Sequence, residues 1–170
     1  IGVNYRGHDL LEIPPNGHGI VALMALQLLQ GYSFCNRDDI ATLHTQLEAM
    51  KLAFTDGKHH VADPDCMRVT PEQLLSEAYA AERRKLIGDT AIEPAPGSPD
   101  GSDTVYFCAA DGDGNMISMI QSNYLYWGSG LVVPGTGIAL HDRGANFSLD
   151  PASPNCIGPG KKPYHTIIPG

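Results

Sequence analysis

The first half of the chain carries the apolar spacing of helices. A largely apolar run from Gly19 to about Gln30 predicts a helix buried on most sides and terminated by Gly31. A second helix is predicted to begin after Asp38 or Asp39 and to end at Gly57. Its apolar residues recur three and four positions apart, which predicts one stripe facing a core; they are Ile40, Leu43, Leu47, Met50 and Phe54.

Two shorter elements flank these helices. Residues 5–13 have the pattern of a short strand that ends at Pro14-Pro15, and Asn16-Gly17 is typical of a turn. Further along, Thr70-Pro71-Glu72-Gln73 is a helix start with a capping box, because Thr70 can cap and Gln73 can close the box. That helical segment is predicted to continue, with a break near Ser76, to about Leu86.

The middle of the chain lacks the apolar residues that order a segment. Residues 88–103 are rich in proline and glycine, and they form a predicted linker that we expect to be exposed and mobile. Beyond it the pattern changes to strands. Thr104–Ala110 and Met116–Ser122 are predicted to pair as a hairpin across a turn at residues 111–115.

Composition and charge exclude several kinds of function. With 170 residues and a net charge of −8, the chain is long enough for one core and too acidic to favour nucleic acid as a partner. No apolar stretch approaches the roughly 20 residues of a membrane span. Both a secreted and a cytoplasmic location are compatible with the sequence.

No pattern in the sequence predicts a metal or a cofactor. Asp111-x-Asp113-x-Asn115 lacks the later glycine and glutamate of a calcium loop, so a hairpin turn is the better interpretation. The pair His59-His60 near Asp63 has no third ligand close in sequence and is interpreted as a solvated turn after the helix. We therefore expect no metal site and no cofactor.

The junction between linker and hairpin is the first candidate for chemistry. A loose segment runs directly into Thr104, the first residue of a strand, and this residue carries a hydroxyl. A threonine freed at a chain terminus can act as a nucleophile with its own α-amine as the base. Threonine also begins many ordinary strands, and on this feature alone that plainer interpretation is favoured.

Several colinear motifs favour the interpretation of Thr104 as a nucleophile over that of an ordinary strand residue. In order along the chain they resemble the end of the large subunit, the processing site and the start of the small subunit of γ-glutamyltranspeptidases. The motifs are Pro14-Pro15-Asn16-Gly17-His18-Gly19, Glu48-Ala49-Met50-Lys51-Leu52-Ala53-Phe54, Ala62-Asp63-Pro64-Asp65, Tyr79-Ala80-Ala81-Glu82-Arg83-Arg84, Asp103-Thr104-Val105-Tyr106, Asp111-Gly112-Asp113-Gly114-Asn115, Gly128-Ser129-Gly130, Gly135-Thr136-Gly137 and Pro159-Gly160-Lys161-Lys162-Pro163.

The resemblance implies a fold, an activity and a subunit organisation. The fold is α+β, part of the four-layer αββα sandwich of N-terminal-nucleophile hydrolases. The activity is cleavage of a γ-glutamyl or glutaryl-type amide through an acyl-Thr104 intermediate, after autocatalytic cleavage between Asp103 and Thr104. Residues 1–87 then correspond to the end of the large subunit, 88–103 to the linker, and 104–170 to the start of the small subunit, the two subunits forming a heterodimer from one precursor.

The resemblance also assigns site residues, and some of them depart from the family pattern. Ser122 stands where the family has a threonine that assists processing, so it joins Thr104 as a catalytic residue. The substrate-binding positions carry Asn123 or Tyr124, Arg143, Asn146, His165 and Thr166. Asn146 replaces an aspartate that holds the substrate's ammonium group, and Arg143 replaces a glutamine. This exchange of charge suits an acyl group with a distal carboxylate and no ammonium, so the acylase-like branch of the family and the true transpeptidases are equally compatible with the sequence.

Two expectations concern the chain as a whole. The resemblance places the glycines of the oxyanion hole after Gly170 and a carboxylate-binding arginine before Ile1, so we interpret the sequence as a piece of a longer protein. We expect this piece alone to be uncleaved and inactive. An alternative to the enzyme is a non-catalytic member of the family that keeps the fold as a structural or binding module.

Overall fold

The computed structural model of the protein describes residues 1–93 and 103–167. In chain order its elements are β1 (Gly2–Tyr5), β2 (His8–Leu11), α1 (Gly19–Leu29), α2 (Ile40–His60), α3 (Pro71–Leu74), α4 (Glu77–Arg84), β3 (Asp103–Ala110) and β4 (Met116–Tyr124), with short 3₁₀ turns at Pro64–Cys66 and Arg143–Asn146. The strands form two antiparallel pairs, β1 with β2 and β3 with β4.

The chain begins with a hairpin where the sequence predicted a single strand. Strands β1 and β2 pair from Gly2 opposite Leu11 to Tyr5 opposite His8. The prediction was wrong because Arg6 and Gly7 form a two-residue turn with φ of 53° and 87°. Two consecutive positive φ values match the right-handed twist of the flanking strands, so the chain reverses there.

Helix α1 is the centre of the hydrophobic core. Its observed bounds, Gly19–Leu29, confirm the predicted buried helix, and most of its side chains are inaccessible to solvent. One cluster forms around Ile20, Val21 and Met24, and a second around Leu28 and Leu29. Both clusters also include residues of α2, so the packing of α1 against α2 forms the centre of the core.

Helix α2 buries the face opposite to the predicted one. The apolar stripe expected to face a core is exposed, with 82% of Ile40, 64% of Leu47 and 40% of Phe54 accessible to solvent. Ala49 and Ala53 instead face α1, because small side chains let two helix backbones approach closely. The predicted apolar residues do form one stripe along α2, but that stripe faces solvent in this chain.

The predicted end of α2 at Gly57 was also wrong. The helix continues to His60, so His59 and His60 lie in its last turn and not in a turn after it. Gly57 is needed for packing: a Cβ there would lie 2.4 Å from Cγ2 of Val21 on α1. The glycine therefore serves the close contact of α1 with α2 and does not terminate the helix.

We expect Gly57→Ala to destabilise the protein. Alanine has a helix propensity better than glycine by about 1 kcal/mol, but a forced overlap in a packed core costs roughly 1–3 kcal/mol, so the clash should dominate. Chemical denaturation of the complete protein measures this difference. Gly88→Ala is the matched control, since nothing lies within 4 Å of a Cβ at Gly88. An unchanged or raised stability of Gly57→Ala would contradict the packing role.

The capping box at Thr70 is confirmed. The Thr70 side chain accepts a hydrogen bond from the Gln73 backbone, and the Gln73 side chain accepts one from the Thr70 backbone. The predicted break near Ser76 is also confirmed, because Ser76 caps the separate helix α4. Arg83 on α4 joins this helix to α2 through two hydrogen bonds of 2.9 Å and 2.7 Å to the Asp56 carboxylate.

The predicted linker is described only in its first part. Residues 94–102 lie outside the described residues, and the expectation of mobility there stays a prediction. Residues 88–93 are attached to α2: the Ile92 amide donates to Oε2 of buried Glu48 at 3.1 Å, and Nε2 of His44 lies 2.8 Å from the Gly88 carbonyl oxygen. The linker therefore leaves the helical half from a fixed point.

The predicted hairpin of the second half is confirmed. Strands β3 and β4 pair along their whole length, from Asp103 opposite Tyr124 to Ala110 opposite Met116. In the turn, Oδ1 of Asp111 accepts from the Asp113 and Asn115 amides at 3.0 Å and 2.9 Å. The Asp111 side chain therefore stabilises the turn through hydrogen bonds to the turn's own backbone.

Two general features of the described part bear on partners and ligands. No helix in residues 1–93 or 103–167 combines the length and apolar character that a bilayer crossing requires. In the same residues, no three His, Cys, Asp or Glu side chains cluster in a way that could hold a metal ion.

Candidate active site around Thr104

Thr104 occupies a distinct position in the hairpin. It lies near the start of β3, directly opposite Ser122 on β4, while Asp103 lies opposite Tyr124. Asn123 is therefore an extra residue in β4, and the register shifts between Asp103 and Thr104. A bulge of this kind re-aims side chains, and here it falls at the peptide bond that the sequence marks for cleavage.

The backbone after the bulge bends sharply. Tyr124 has a φ of 79° and Tyr126 a φ of 43°, a region that residues other than glycine seldom adopt. Asp142 holds this bend, because its Oδ1 accepts from the Leu125 amide at 3.1 Å and its own amide donates to the Asn123 carbonyl at 3.2 Å. The end of β4 is thus fixed by the segment that carries Arg143.

Arg143 is the most deeply buried charge of the site. Its side chain has 0% exposure and is the largest fully buried one among the described residues. Nη2 donates to Oγ of Ser122 at 2.7 Å, Nη1 to the Ser122 carbonyl at 3.2 Å, and Nε to Oγ1 of Thr166 at 3.2 Å. The guanidinium also lies over the Tyr124 ring, 5.8 Å from its centroid.

Among the side chains that the structure describes, no carboxylate forms an ion pair with Arg143. Burial lowers the pKa of Arg143, and the nearby Asp142 and Tyr124 oppose that shift, but a guanidinium stays protonated at any physiological pH. A buried positive charge therefore stands one hydrogen bond away from the residue opposite Thr104.

Two histidines near this charge, His165 and His18, are kept neutral mainly by burial, and the charge adds to that effect. Burial, and then Arg143 and His141, lower the pKa of His165 to about 4. Burial, then His165 and Arg143, lower the pKa of His18 to about 4. Nδ1 of His141 accepts from the Arg143 amide at 3.2 Å, and the His141 and His165 rings meet edge to face. At pH 7 both shifted imidazoles are uncharged, so Arg143 dominates the local field.

The first and second halves of the chain meet at this site. The His165 amide donates to the Asn16 carbonyl and the His18 amide to the His165 carbonyl, both at 2.9 Å. Nδ2 of Asn16 donates to the Pro163 carbonyl at 2.9 Å. The neighbouring Tyr164 side chain is 6% exposed and packs in the core beside Ile20, Val21 and Met24.

A second motif pair joins the halves nearby. Oδ2 of Asp63 accepts from the Lys162 amide at 2.9 Å, and Nζ of Lys161 donates to the Pro154 and Cys156 carbonyls at 2.6 Å and 2.9 Å. The hydrogen bonds from the Lys162 and Asp65 backbone amides, together with the charges of Lys162 and Lys161, lower the pKa of the Asp63 carboxyl. These contacts give the Asp-Pro-Asp and Lys-Lys-Pro motifs a structural role in fixing the loop before His165.

The structure gathers most of the predicted site residues. Ser122, Tyr124, Thr166 and His165 all lie around Arg143, the first three through a direct contact and the last through its electrostatic effect. Asn146 lies apart from this group. Its side-chain Nδ2 donates to the Tyr164 carbonyl at 3.0 Å, and its backbone carbonyl accepts from Nδ2 of Asn155 at 2.6 Å. The Asn146 side-chain amide therefore stabilises the backbone at Tyr164.

Other residues of the site follow from the fold. The Asn123 carbonyl accepts from Asp142, while its side chain borders Gly128. Sequence reasoning assigned no role to His18 or His141. His18 stands in a quoted motif and His141 only two residues before Arg143, but no spacing rule links residue 18 to residue 165.

Comparisons with known proteins show which family the sequence matches. The sequence matches the gamma-glutamyltranspeptidase family over residues 1–170. It is 37% identical over 171 residues to a glutathione hydrolase-like YwrD proenzyme of Bacillus subtilis, and 37% identical over 167 residues to an oxamate amidohydrolase proenzyme of Klebsiella pneumoniae. These alignments cover 99% and 98% of this chain but 32% of each relative, so the chain spans about a third of their length.

Two solved structures are also similar. Cephalosporin acylase from Bacillus halodurans superposes with a TM-score of 0.88 at 58% identity, covering 99% of this chain and 31% of that one. Gamma-glutamyltranspeptidase from Helicobacter pylori superposes with a TM-score of 0.51 at 22% identity over 55% of this chain and 28% of that one, a likeness of fold alone.

These matches define the fold class to which the chain belongs. The chain has the α+β fold of N-terminal-nucleophile hydrolases, as the sequence predicted, and represents part of their layered sandwich. Within that class, the match over all 170 residues shows that it belongs to the gamma-glutamyltranspeptidase family. Relatives in the family are named hydrolases, amidohydrolases and acylases, and several are named proenzymes.

Proposed function

We propose that the complete protein is an amidohydrolase or acyltransferase that cleaves itself before Thr104 and then uses Thr104 as its nucleophile. The observation that carries this proposal is the register of the hairpin. Thr104 lies opposite Ser122 at a bulge, and Ser122 is bonded to a buried guanidinium. A hydroxyl residue on the opposite strand, a cation bonded to it and a backbone irregularity thus lie beside one peptide bond, and irregular backbone of this kind is common at functional sites.

Self-cleavage would proceed in two steps. The Thr104 hydroxyl oxygen attacks the Asp103 carbonyl carbon, the Asp103–Thr104 C–N bond breaks, and the hydroxyl proton ends on the departing nitrogen. The product is an ester between Asp103 and the Thr104 oxygen, with a free α-amine on Thr104. Water then cleaves the ester, giving an Asp103 carboxylate and restoring the Thr104 hydroxyl. One hydroxyl serves both as the attacking group and as the leaving group.

The same hydroxyl would then act on an external amide. The Thr104 α-amine, with an ordinary pKa near 8, takes the hydroxyl proton as the oxygen attacks the substrate carbonyl. The substrate C–N bond breaks and the proton passes to the leaving amine, which leaves an acyl ester on Thr104. Water or a second amine attacks this ester, releasing the acid or a new amide and regenerating the enzyme.

Charge favours one class of acyl group. Arg143 supplies the positive field near position 104, and Asn146 cannot form the ion pair that an aspartate would form with an ammonium group. We therefore propose an acyl group with a distal carboxylate and no α-ammonium, glutaryl-type rather than γ-glutamyl. Since Arg143 is fully buried, its charge acts on such a carboxylate through space from behind Ser122.

The remaining predicted residues take supporting roles in this proposal. Tyr124, His165 and Thr166 shape the wall around Arg143, and Asn123 lies at the bulge beside the cleavage point. Residues 1–87 would end the large subunit and residues 104–170 would begin the small one. The two subunits form a heterodimer from one precursor.

Denaturing electrophoresis of the complete protein, followed by N-terminal sequencing of each band, tests the proposal. We expect two chains, the smaller beginning Thr104-Val105-Tyr106. Brief incubation with a glutaryl anilide should then add one glutaryl mass to the smaller chain. A single stable band without hydrolysis of any acyl anilide would sink the enzyme proposal and favour a non-catalytic family member.

A further inference from the structure

Arg143 donates hydrogen bonds to both oxygens of Ser122. Two adjacent nitrogens of the guanidinium donate to the Ser122 hydroxyl at 2.7 Å and to the Ser122 carbonyl at 3.2 Å. The third nitrogen donates to the Thr166 hydroxyl at 3.2 Å, which fixes the plane of the guanidinium. A rigid fork of donors on one residue leaves little freedom in the placement of Ser122.

The hydrogen bonds around Ser122 decide what its hydroxyl can do. A serine hydroxyl has two acceptor sites and one hydrogen. Nη2 of Arg143 and the Tyr124 amide, at 2.7 Å and 3.0 Å, both donate to Oγ and so occupy its two acceptor sites. Toward any further group Ser122 is therefore a donor, and it lies opposite Thr104 in the register.

We propose that Arg143 is a positioning residue for self-cleavage: it fixes the Ser122 hydroxyl as a hydrogen-bond donor that serves Thr104, its partner in the register, during the reaction. The inference rests on the proposed function and gives Arg143 a second role in it, beyond the attraction of a substrate carboxylate. The charge matters as well as the geometry. A guanidinium bonded to a hydroxyl oxygen draws electron density from it and strengthens its O–H as a donor.

A donor at this place assists the attack on Asp103. The Thr104 oxygen becomes negatively charged as its proton leaves for the departing nitrogen, and it becomes negative again when it departs from the ester. A hydrogen bond from Ser122 stabilises both stages. Because the guanidinium is buried, this assistance is not weakened by water.

Self-cleavage separates this role from substrate binding. No external substrate takes part in it, so an arginine that served only to attract a substrate carboxylate would leave its rate unchanged. The test follows the half-time of cleavage of the complete precursor, starting from denatured protein that is refolded rapidly. The variants are Arg143→Met, Arg143→Gln, Ser122→Ala and the double variant Arg143→Met/Ser122→Ala.

We expect slower cleavage with a characteristic pattern. Ser122→Ala should slow the reaction about 100-fold, Arg143→Met about 10- to 100-fold and Arg143→Gln about 10-fold, since glutamine can donate without a charge. The double variant should be no slower than Ser122→Ala, because Arg143 acts through Ser122. Arg143→Gln tests the inference even if Arg143→Met does not fold.

The matched control is Arg83→Met. Arg83 is a partly buried arginine that pairs with Asp56 and links α4 to α2, so its loss lowers stability without removing a contact of the β3–β4 hairpin. Its folded precursor should cleave at the normal rate. Folded Arg143 variants that cleave as fast as the parent protein would overturn the inference, as would losses that add fully to that of Ser122→Ala. If the parent precursor itself is not cleaved before Thr104, the proposed function is wrong. That outcome is distinguishable from a failure of the Arg143 inference, which requires a parent precursor that cleaves.

Discussion

The complete precursor with Thr104→Ala is expected to remain a single chain and to release no amine from any acyl anilide. One hydroxyl both attacks the Asp103 carbonyl and later carries the acyl group, so its removal stops both reactions. The loss should reach at least about 10⁴-fold, as for other nucleophiles that are removed from an assembled site. Denaturing electrophoresis measures the first reaction, and release of a chromogenic amine measures the second.

Two further variants make this result specific. Thr104→Ser keeps a hydroxyl and an α-amine and should retain a measurable part of both reactions. Thr45→Ala removes a threonine hydroxyl from α2, where it bonds only to the Ala41 carbonyl, and should leave both reactions unchanged. If Thr104→Ala still separates into two subunits, the cleavage site has been assigned to the wrong residue.

A glutaryl anilide should exceed the matching γ-glutamyl anilide in kcat/KM by about 10- to 100-fold, because an ammonium group near buried Arg143 is left without a counter-ion. The two substrates differ only in that ammonium group. The expected preference follows from the position of Arg143 behind Ser122 and from the absence of any ion pair to it among the described side chains. Steady-state kinetics of the processed enzyme measures the ratio directly.

A carboxylate at position 146 should reduce this preference. Asn146→Asp places a negative charge in the segment that follows Arg143, and γ-glutamyl hydrolysis should then gain relative to glutaryl hydrolysis. Asn36→Asp makes the same substitution at an exposed turn before α2 and serves as the control. A clear preference of the parent enzyme for the γ-glutamyl substrate would return the protein to the ordinary transpeptidase pattern.

The sequence predicted best where local chemistry determines the structure. The capping box at Thr70 and the hairpin turn at Asp111 depend on hydrogen bonds within a few residues, and both were found as expected. Helix α1 was predicted because it is apolar on nearly every side, so any packing partner buries it.

The errors arose where the answer depends on partners distant in sequence. Spacing identified an apolar stripe on α2, but spacing alone cannot say which face meets α1, and the small residues Ala49 and Ala53 decided this. Gly57 resembles a helix terminator until Val21 on another helix is seen beside it.

The candidate site shows the same division. Thr104 and Ser122 could be named from the motif order, and their register agrees with the role proposed for them. The burial of Arg143 could not be predicted, because it requires Thr166 and the bend at Tyr124 to close around the guanidinium. A charged residue in a glycine-rich stretch otherwise indicates an exposed surface.

The paired loops at residues 16–18 and 163–167 have a consequence for the products of cleavage. Backbone hydrogen bonds between Asn16, His18 and His165 join positions on opposite sides of the Asp103–Thr104 bond. The Tyr164 side chain, from the second half of the chain, packs in the core formed by the helices of the first half. Cutting the chain therefore changes its connectivity and leaves its largest internal contacts in place. If the proposed cleavage occurs, the two pieces should separate only on denaturation, because the contacts between them do not depend on the bond that is cut.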